Sequence, residues 1–321
     1  MSNDWRPTAS LDALKSRAAM LAAARQFFAE RGVLEVETPV LSAAAVSDPQ
    51  IESLATRVAG IAAPLYLCTS PEHAMKRLLA AGSGDIYQIC KVFRDAERGR
   101  WHNPEFTLLE WYRLGFDDVA LMSEVEALIR ALLAPHRKLQ PAERLSYSAA
   151  LQRHAGVDSQ HAGERDLTEA ARSHGIVCQA DLDRDAKLDL LMALVVGPRL
   201  GIERPCFICD YPASQAALAR LKPGPPPVAA RFELYLDGVE LANGFHELRQ
   251  SGEQRDRFAQ DLKLRHARGQ LQPPLDERLL AALAAGLPDC AGVALGVDRL
   301  AAIALAAPRL ADAMAFTIDN A

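Results

Sequence analysis

The chain has 321 residues, of which 50% are hydrophobic and 24% are charged, a composition typical of a globular protein. No apolar run approaches the ~18 residues that a membrane-spanning helix needs, and the N-terminus lacks the basic and apolar segments of a signal peptide. We therefore expect a cytoplasmic protein without a membrane partner. The net charge of −5 argues against a nucleic-acid backbone as the main partner, although it does not exclude a local basic patch.

The first predicted element is a helix over residues 11–31, because its apolar residues follow helical spacing and Gly32 can cap its end. The segment VLEVETPVL reads as a short strand that stops at Pro39. Four further elements are predicted along the chain: a strand at 65–67, a helix from Pro71 to about Ala81 with Ser70 as its N-cap, and helices at 120–133 and 186–196.

Residues 86–95 and 105–113 alternate like the two strands of a hairpin, with a long polar loop between them. Arg94 lies late in the first strand, while the second presents Phe106, Glu110 and Tyr112 on one face by period two. Arginine can clamp an α-phosphate and a carboxylate, phenylalanine can stack on a purine, and Glu with Tyr can hold an ammonium ion. An ordinary amphipathic hairpin with solvated charges would carry the same pattern.

The segment RFELYLDGVELANGF predicts a second hairpin around Asp237-Gly238. A two-residue turn pairs Leu236 with Val239 and Leu234 with Leu241. One face is then apolar, and the other face is expected to be open. The residues of the open face are Glu233, Tyr235, Glu240 and Ala242. The preceding LKPGPPPV at 221–228 is predicted to be a loop.

Glu240 and Glu247 are candidates for holding Mg²⁺, which often uses one or two carboxylates beside phosphate oxygens. Strict alternation would put them on opposite faces of the strand, and a bulge at Asn243-Gly244 would bring them together. Two acids on a strand can also simply be solvated.

The stretch from Gly292 to Arg299 predicts a glycine-rich strand that leads into a helix near Val297. Small residues let a ligand approach the backbone, and a helix N-terminus favours an anion. Alone this is a weak signal. With antiparallel hairpins dominating, the predicted fold class is α+β.

The six cysteines show no disulfide-scaffold pattern, which favours a reducing compartment. Cys206 and Cys209 form a C-x-x-C without a second pair, and a strand would point them to opposite faces, so buried strand cysteines are expected instead of a zinc site. We expect structural roles for His73 and His246, whereas His102 lies in a loop that could contact phosphate.

Together these segments resemble the three signature motifs of class II aminoacyl-tRNA synthetases. VLEVETPVL looks like motif 1, FRDAERGRWHNPEFT resembles motif 2 and GVALGVDRL resembles motif 3, in matching order and spacing. HNPEFT and ELANGF are similar to strings of the lysyl branch. The resemblance implies a class II catalytic core, an antiparallel sheet flanked by helices.

About 30 residues precede motif 1, too few for the anticodon-binding OB domain of lysyl-tRNA synthetases. The chain therefore resembles the elongation factor P–lysine ligase family over nearly its whole length, including TSPEHAMKRLL and PDCAGVALGVDRL. This implies a single catalytic domain over 1–321, ATP and Mg²⁺, a homodimer, and elongation factor P as acceptor of (R)-β-lysine or lysine, with tRNA disfavoured. A free-standing lysyl-tRNA synthetase-like enzyme and a catalytically inactive regulatory paralogue are the alternatives.

The resemblance also implies roles for individual residues. Arg94 and Arg299 would be catalytic, and Glu240 and Glu247 would bind metal. ATP would contact Arg94, Asp95, Ala96, Asn103, Phe106, Glu240, Leu241, Gly296 and Arg299. The amino acid would contact Ser70, Pro71, Glu72, Glu110, Tyr112, Asn243, Glu247 and Ala294.

The chain departs from the family pattern at three positions. Ala96 stands where motif 2 usually has a glutamate that contacts adenine, and the following Glu97 should point the other way on a strand. Ser70 and Ala294 stand where lysyl synthetases have Ala and Gly. Both would add bulk at the carboxylate end of the substrate, which predicts a preference for (R)-β-lysine over α-lysine.

Overall fold

The computed structural model describes residues 5–179 and 182–321. Its α-helices are α1 Leu11–Ala29, α2 Glu72–Ala80, α3 Asp118–Leu133, α4 Tyr147–Ala155, α5 Glu164–Ser173, α6 Arg184–Leu191, α7 Ser251–Ala267, α8 Glu277–Gly286 and α9 Val297–Ala304. Its strands are β1 Leu34–Glu35, β2 Leu41–Ser42, β3 Ala55–Thr56, β4 Leu65–Leu67, β5 Ile86–Phe93, β6 Glu105–Leu114, β7 Glu143–Ser146, β8 Cys206–Pro212, β9 Leu221–Lys222, β10 Val228–Leu236, β11 Val239–His246 and β12 Cys290–Gly296.

The chain divides into two compact units. The first comprises Met1–Gly115, Ala131–Arg137 and Leu248–Ala321, and the second Phe116–Arg130 and Lys138–Glu247. In the first unit, β1, β5, β6 and β12 lie side by side, with β5–β6 and β6–β12 antiparallel. A smaller sheet has the order β2-β4-β3. Within the described parts of the chain, no helix is long and apolar enough to span a bilayer.

Helix α1 packs against the first unit's sheet through aromatic rings. The Phe28 ring stacks on Tyr87 of β5 with centroids 4.5 Å apart, and its centroid lies 5.3 Å from that of Trp111 of β6. All three side chains are buried. Burial of such rings contributes roughly 1.5–3 kcal/mol each, so these contacts fix the helix against the two strands that carry motif 2.

In the second unit, β11, β10, β8 and β7 are neighbours in that order, and β9 pairs with β10. Strands β10 and β11 are antiparallel to each other, as are β8 and β10. The core of this unit packs helices α4 to α6 around residues such as Tyr147, Leu188 and Tyr235. Antiparallel pairs dominate both units, which confirms the predicted α+β class.

The predicted elements are largely confirmed, with ends that shift by a few residues. The predicted helix at 186–196 is α6, Arg184–Leu191, followed by a π-helical segment at Met192–Val196. Helix α1 starts after Ser10, whose hydroxyl accepts a hydrogen bond from Ala13 N, and Gly32 has a φ of 66°. The predicted motif 1 strand is reduced to Leu34–Glu35, and Leu41 at the end of the same segment belongs to β2 in the smaller sheet. The expected loop at 221–228 is wrong at its ends, since Leu221–Lys222 and Val228 pair in the sheet.

The hairpin of β10 and β11 has the predicted turn, with positive φ at Asp237 and Gly238 and Leu236 paired with Val239. The bulge, however, lies at Leu241 and not at Asn243-Gly244, because Tyr235 pairs with Glu240 while Leu234 pairs with Ala242. Beyond the bulge every side chain changes face relative to strict alternation. Ala242 therefore lies on the face opposite to the predicted one.

Candidate active site

Arg94 follows β5 directly and is held by three groups. Its Nε donates to the Thr69 carbonyl at 3.4 Å, its Nη1 lies 3.3 Å from Glu97 Oε1, and its guanidinium carbon lies 5.1 Å from the centroid of the Phe106 ring. Arg94 N also donates to Pro104 O. These contacts keep a half-buried cation beside an aromatic ring, which suits a nucleotide phosphate and a purine.

The segment after Arg94 is a turn and not a strand. Ala96 has a φ of 60°, an unusual value for a residue with a side chain, and Asp95 Oδ1 accepts from Ala96 N. The turn brings Glu97 back to Arg94. The expectation that Glu97 points away is therefore wrong, because β5 already ends at Phe93 and strand alternation no longer applies.

Arg299 lies in the first turn of α9 and reaches the same loop. Its Nε donates to Trp101 O at 3.2 Å, and its Nη2 lies 2.8 Å from His102 Nε2. Desolvation and the nearby Arg299 charge lower the pKa of His102. The neighbouring Asp298 accepts from Thr107 N at 2.6 Å, which ties the start of α9 to β6. The loop between β5 and β6 thus carries Arg94 and a histidine that favours its neutral form, and Arg299 of α9 contacts it from outside.

Asn103 is buried in this loop, and its side-chain amide is engaged within the protein. Nδ2 donates to Glu105 O at 2.6 Å, and Oδ1 accepts from Ile318 N at 3.0 Å. The predicted contact between Asn103 and ATP stays a prediction. The backbone of Asp95 is also fixed by a hydrogen bond, because its N–H donates to Glu52 O.

Glu110 lies in the middle of β6 and is 3% exposed. Oε2 accepts from Ser70 Oγ at 2.7 Å and Oε1 accepts from Tyr112 Oη at 2.8 Å. Burial, followed by the charge of Glu72, raises the pKa of Glu110 from its ordinary 4.5 to about 8. A buried acid with two oriented hydroxyl donors is suited to receive a cationic group of a ligand.

Two thiols lie near this carboxylate. Burial and the Glu110 charge raise the pKa of Cys68 to about 11 and that of Cys90 to about 12. Both thiols therefore stay protonated near neutral pH and are poor nucleophiles. They line the region around Glu110 as small polarisable groups.

Ser70, Pro71 and Glu72 form the start of α2. Pro71 occupies the N-cap position, one residue later than predicted, yet the Ser70 hydroxyl still accepts from Glu72 N at 3.0 Å. Glu72 Oε1 accepts from Lys76 Nζ at 2.6 Å, and Lys76 is 1% exposed. Sequence reasoning missed Lys76, although the Glu-to-Lys spacing of four on a helix is a known pairing signal.

Strand β12 lies next to β6 and presents small residues to it. Gly292 pairs with Tyr112, Ala294 with Glu110 and Gly296 with Leu108. Gly296 is also the N-cap residue of α9. Ala294 and Ser70 thus both neighbour Glu110. The two positions expected at the carboxylate end of the substrate therefore lie beside Glu110, a residue expected to hold an ammonium ion.

In the second unit, the bulge at Leu241 places Glu240 and Asn243 on one face, and continued alternation would add Glu247. Leu241 itself is buried. Arg231 donates to Asn243 Oδ1 at 3.3 Å. A bulge is present, two residues earlier than predicted; that it unites Glu240 with Glu247 on one face stays a prediction, because β11 ends at His246.

The same face is not open as predicted. Glu233 is buried and accepts from Arg231 Nη2 at 2.5 Å and from Tyr235 Oη at 2.6 Å. Burial alone would lower the pKa of Arg231, whereas Glu233, Tyr211 and Glu240 raise it. The carboxylate of Glu233 thus compensates the charge of Arg231. On this face, the half-buried part lies around Glu240 and Asn243.

The donor set of Glu240 and Glu247 fits Mg²⁺, since two carboxylates supply hard oxygen ligands. The described residues contain no group of three or more His, Cys, Asp and Glu side chains able to hold a metal ion. Any Mg²⁺ held here would therefore need oxygen ligands from a bound phosphate or from water, which matches the way Mg²⁺ is usually bound with nucleotides.

Comparison with known proteins agrees with this chemistry. Residues 3–320 match the family described as tRNA synthetases class II (D, K and N). Proteins of Salmonella typhimurium (strain LT2), Salmonella enteritidis PT4 and Salmonella agona are each 52% identical over 323 residues, with 99% of this chain and 98% of each relative covered. All three relatives are named elongation factor P–(R)-β-lysine ligase.

Proposed function

Because the chain belongs to the family of class II tRNA synthetases for D, K and N, we propose that it activates (R)-β-lysine with ATP and transfers it to a lysine side chain of elongation factor P. The predicted family is confirmed by the match over nearly the whole chain. The acceptor and the amino acid follow the names of the relatives, and the residue roles below are our assignments.

The geometry of β6 carries the proposal. Phe106 and Glu110 lie on one face of this strand, four residues apart, which corresponds to roughly 13 Å along a strand. Arg94 lies over the Phe106 ring, while Ser70 and Tyr112 hold the Glu110 carboxylate. A purine at one end, an ammonium ion at the other and an arginine near the purine end match the parts of an aminoacyl-adenylate.

In the first step, a carboxylate oxygen of the amino acid attacks the α-phosphorus of ATP. A new P–O bond forms, the P–O bond to pyrophosphate breaks, and pyrophosphate leaves with the electron pair. Arg94 stabilises the negative charge at the α-phosphate and Arg299 that at the outer phosphates, where fixed cations are most effective. Mg²⁺ held by Glu240 and Glu247 would supply further charge stabilisation.

In the second step, the neutral ε-amine of the acceptor lysine attacks the carbonyl carbon of the adenylate. The C–N bond forms, AMP leaves with the electrons of the C–O bond, and the nitrogen releases one proton to solvent. Glu110 and Glu72 hold the amino groups of the substrate throughout. Lys76 keeps Glu72 oriented by their 2.6 Å contact.

Two further assignments belong to this proposal. We place the protein in the cytoplasm, because all six cysteines are free thiols, as expected in a reducing compartment. We regard tRNA as disfavoured, since the net charge of −5 provides little general attraction for a phosphate backbone.

The decisive experiment has two stages. Pyrophosphate exchange with ATP and either (R)-β-lysine or lysine should show adenylate formation, and the intact mass of elongation factor P should then rise by one β-lysyl group. Elongation factor P lacking its acceptor lysine is the matched control. Exchange with transfer only to tRNA would favour a lysyl-tRNA synthetase-like enzyme. No exchange with either amino acid would favour a regulatory paralogue.

A further inference from the structure

The loop that carries the nucleotide-binding residues is contacted by the end of the chain. We define the ATP loop as residues 94–104, between β5 and β6, and the C-terminal clip as residues 317–320. Asn103 Oδ1 accepts from Ile318 N at 3.0 Å, and Arg98 forms an ion pair with Asp319. The clip thus contacts the ATP loop through its two central residues, by a backbone amide at Ile318 and a side chain at Asp319.

The clip is itself a closed turn. Asn320 Oδ1 accepts from Thr317 N at 2.8 Å, and Asn320 N donates to Thr317 O at 3.1 Å. The same Asn320 oxygen accepts from Thr8 Oγ1 at 3.2 Å. The side chain and the backbone of Asn320 thus both bond to Thr317, so local hydrogen bonds close the clip.

The clip and the residues just before it are hydrogen-bonded to the segment that precedes α1. Thr8 N donates to Ala315 O at 2.8 Å, and Ala9 N donates to Met314 O at 3.1 Å. Ala9 and Met314 are buried. Because α1 is fixed to β5 and β6 through Phe28, the clip has a rigid support.

The ATP loop has a second attachment near the clip. Arg100 Nε donates to Pro308 O at 2.7 Å, and Leu310 N donates to Arg100 O at 2.9 Å. The loop is thus tied to two stretches of the C-terminal region, at 308–310 and at 318–319. The hydrogen bond from Ile318 N to the buried Asn103 side chain is the stronger contact at the clip. The Arg98–Asp319 pair is largely exposed, and exposed ion pairs contribute little.

We propose that the C-terminal clip is a positioning element for ATP binding, and that Asn103 acts as a positioning residue that links the clip to the ATP loop. The proposal rests on the proposed function. Phe106 lies three residues after Asn103, and Arg94 N donates to the carbonyl oxygen of Pro104, the residue next to Asn103, at the base of the loop. Holding Asn103 therefore fixes both ends of the loop where Arg94 and Phe106 receive the nucleotide.

Four changes test the proposal: Asn103→Ala, Asp319→Ala, the exchanged pair Arg98→Asp with Asp319→Arg, and a chain that ends at Phe316. Loss of the clip or of the Asn103 amide should raise KM for ATP about threefold to tenfold, as expected for one or two lost hydrogen bonds. KM for the amino acid should stay within about twofold. Asp319→Ala should have a smaller effect, and the exchanged pair should restore the wild-type KM for ATP.

A second readout does not need activity. Trypsin cleaves after arginine, so cleavage at Arg98 and Arg100 should be faster when the clip is absent or Asn103 is alanine. Glu277→Ala is the matched control, because it removes the exposed Arg255–Glu277 pair, whose carboxylate is 64% exposed against 60% for Asp319.

Unchanged cleavage at Arg98 and Arg100 together with an unchanged KM for ATP in folded variants would overturn the proposal. An equal rise of KM for both substrates, with a matching loss of melting temperature, would also overturn it, because it would indicate general destabilisation. Absence of exchange in the wild-type protein would instead contradict the proposed function, while the cleavage experiment would still report on the clip.

Discussion

Arg94 Nη1 lies 3.3 Å from Glu97 Oε1, and this contact exists because Ala96 adopts a positive φ between them. Both side chains are about one quarter exposed. The motif 2 position that usually has a glutamate is therefore occupied by a turn-forming alanine, and the carboxylate one residue later orients the arginine.

Glu97→Ala should weaken ATP binding, because Arg94 would lose one of the groups that fix its guanidinium. We expect KM for ATP to rise roughly threefold to tenfold, with the free energy of unfolding changed by less than about 1 kcal/mol. Exchange kinetics and thermal melting measure the two quantities. Glu97→Gln retains a hydrogen-bond acceptor, so its KM for ATP should lie between those of the wild-type protein and of Glu97→Ala. An unaffected KM for ATP in both variants would mean that Glu97 has no part in positioning Arg94.

Glu110 should make amino-acid binding depend on pH. Its pKa is raised to about 8, so it is mostly protonated at pH 6, and an ammonium ion can bind well only after that proton leaves. KM for the amino acid should therefore fall as pH rises from about 6 to 8, with KM for ATP following no such trend. Ser70, Tyr112, Glu72 and Lys76 face the same carboxylate, so the titration belongs to the cluster.

The same shift predicts a stability effect of opposite sign. An acid with a raised pKa binds more protons in the folded state, so its destabilising effect is absent below the unfolded pKa and grows until pH about 8. Glu110→Gln should remove this part of the pH dependence of the melting temperature. If the melting temperature of the wild-type protein falls no more steeply than that of the variant between pH 5 and 8, the pKa shift of Glu110 is absent.

Glu240→Gln should abolish pyrophosphate exchange at ordinary Mg²⁺ concentrations while the protein remains folded. One ligand oxygen would lose its charge, and Mg²⁺ would be held less tightly beside the phosphates. Raising Mg²⁺ should recover part of the rate. Glu169→Gln on α5, where the carboxylate is 74% exposed, is a suitable control; near wild-type activity of the Glu240 variant would mean that this acid is merely solvated.

The amino-acid preference should depend on Ser70 and Ala294, which both neighbour Glu110. We expect (R)-β-lysine to be favoured over α-lysine in kcat/KM by roughly 10–200-fold, as pocket shape commonly allows. Ser70→Ala combined with Ala294→Gly should shift the ratio of the two kcat/KM values toward α-lysine, because a hydroxyl and a methyl group are removed beside the Glu110 carboxylate. Equal kcat/KM values for the two amino acids in the wild-type enzyme would contradict this assignment.

The chain should form a homodimer that buries α1 and the motif 1 strand. Leu34 of β1 is 55% exposed at an edge of its sheet, and an apolar residue there is suited to a two-fold contact. Sedimentation at micromolar concentration should show a dimer that Leu34→Asp weakens. Leu194, which is 57% exposed in the second unit, provides the control Leu194→Asp; a monomeric wild-type protein would refute the prediction.

Much of the site could be predicted from local pattern. Period two placed Phe106, Glu110 and Tyr112 on one face of β6, and the Asp237-Gly238 turn set the start of the second hairpin. Both depend only on alternation and on turn chemistry, which act between neighbours in the chain. The strings around Arg94 and Arg299 identified the family through their resemblance to motifs 2 and 3.

Tertiary structure decided the contacts that join distant segments. Strict alternation could not locate the bulge at Leu241, because a bulge depends on which residues the partner strand offers. The Ser70–Glu110 contact spans 40 residues and the Asn103–Ile318 contact 215. No local period encodes such pairs. Folding brings the start of α2 to β6 and the chain end to the loop before β6. Burial in the folded chain raises the pKa of Glu110.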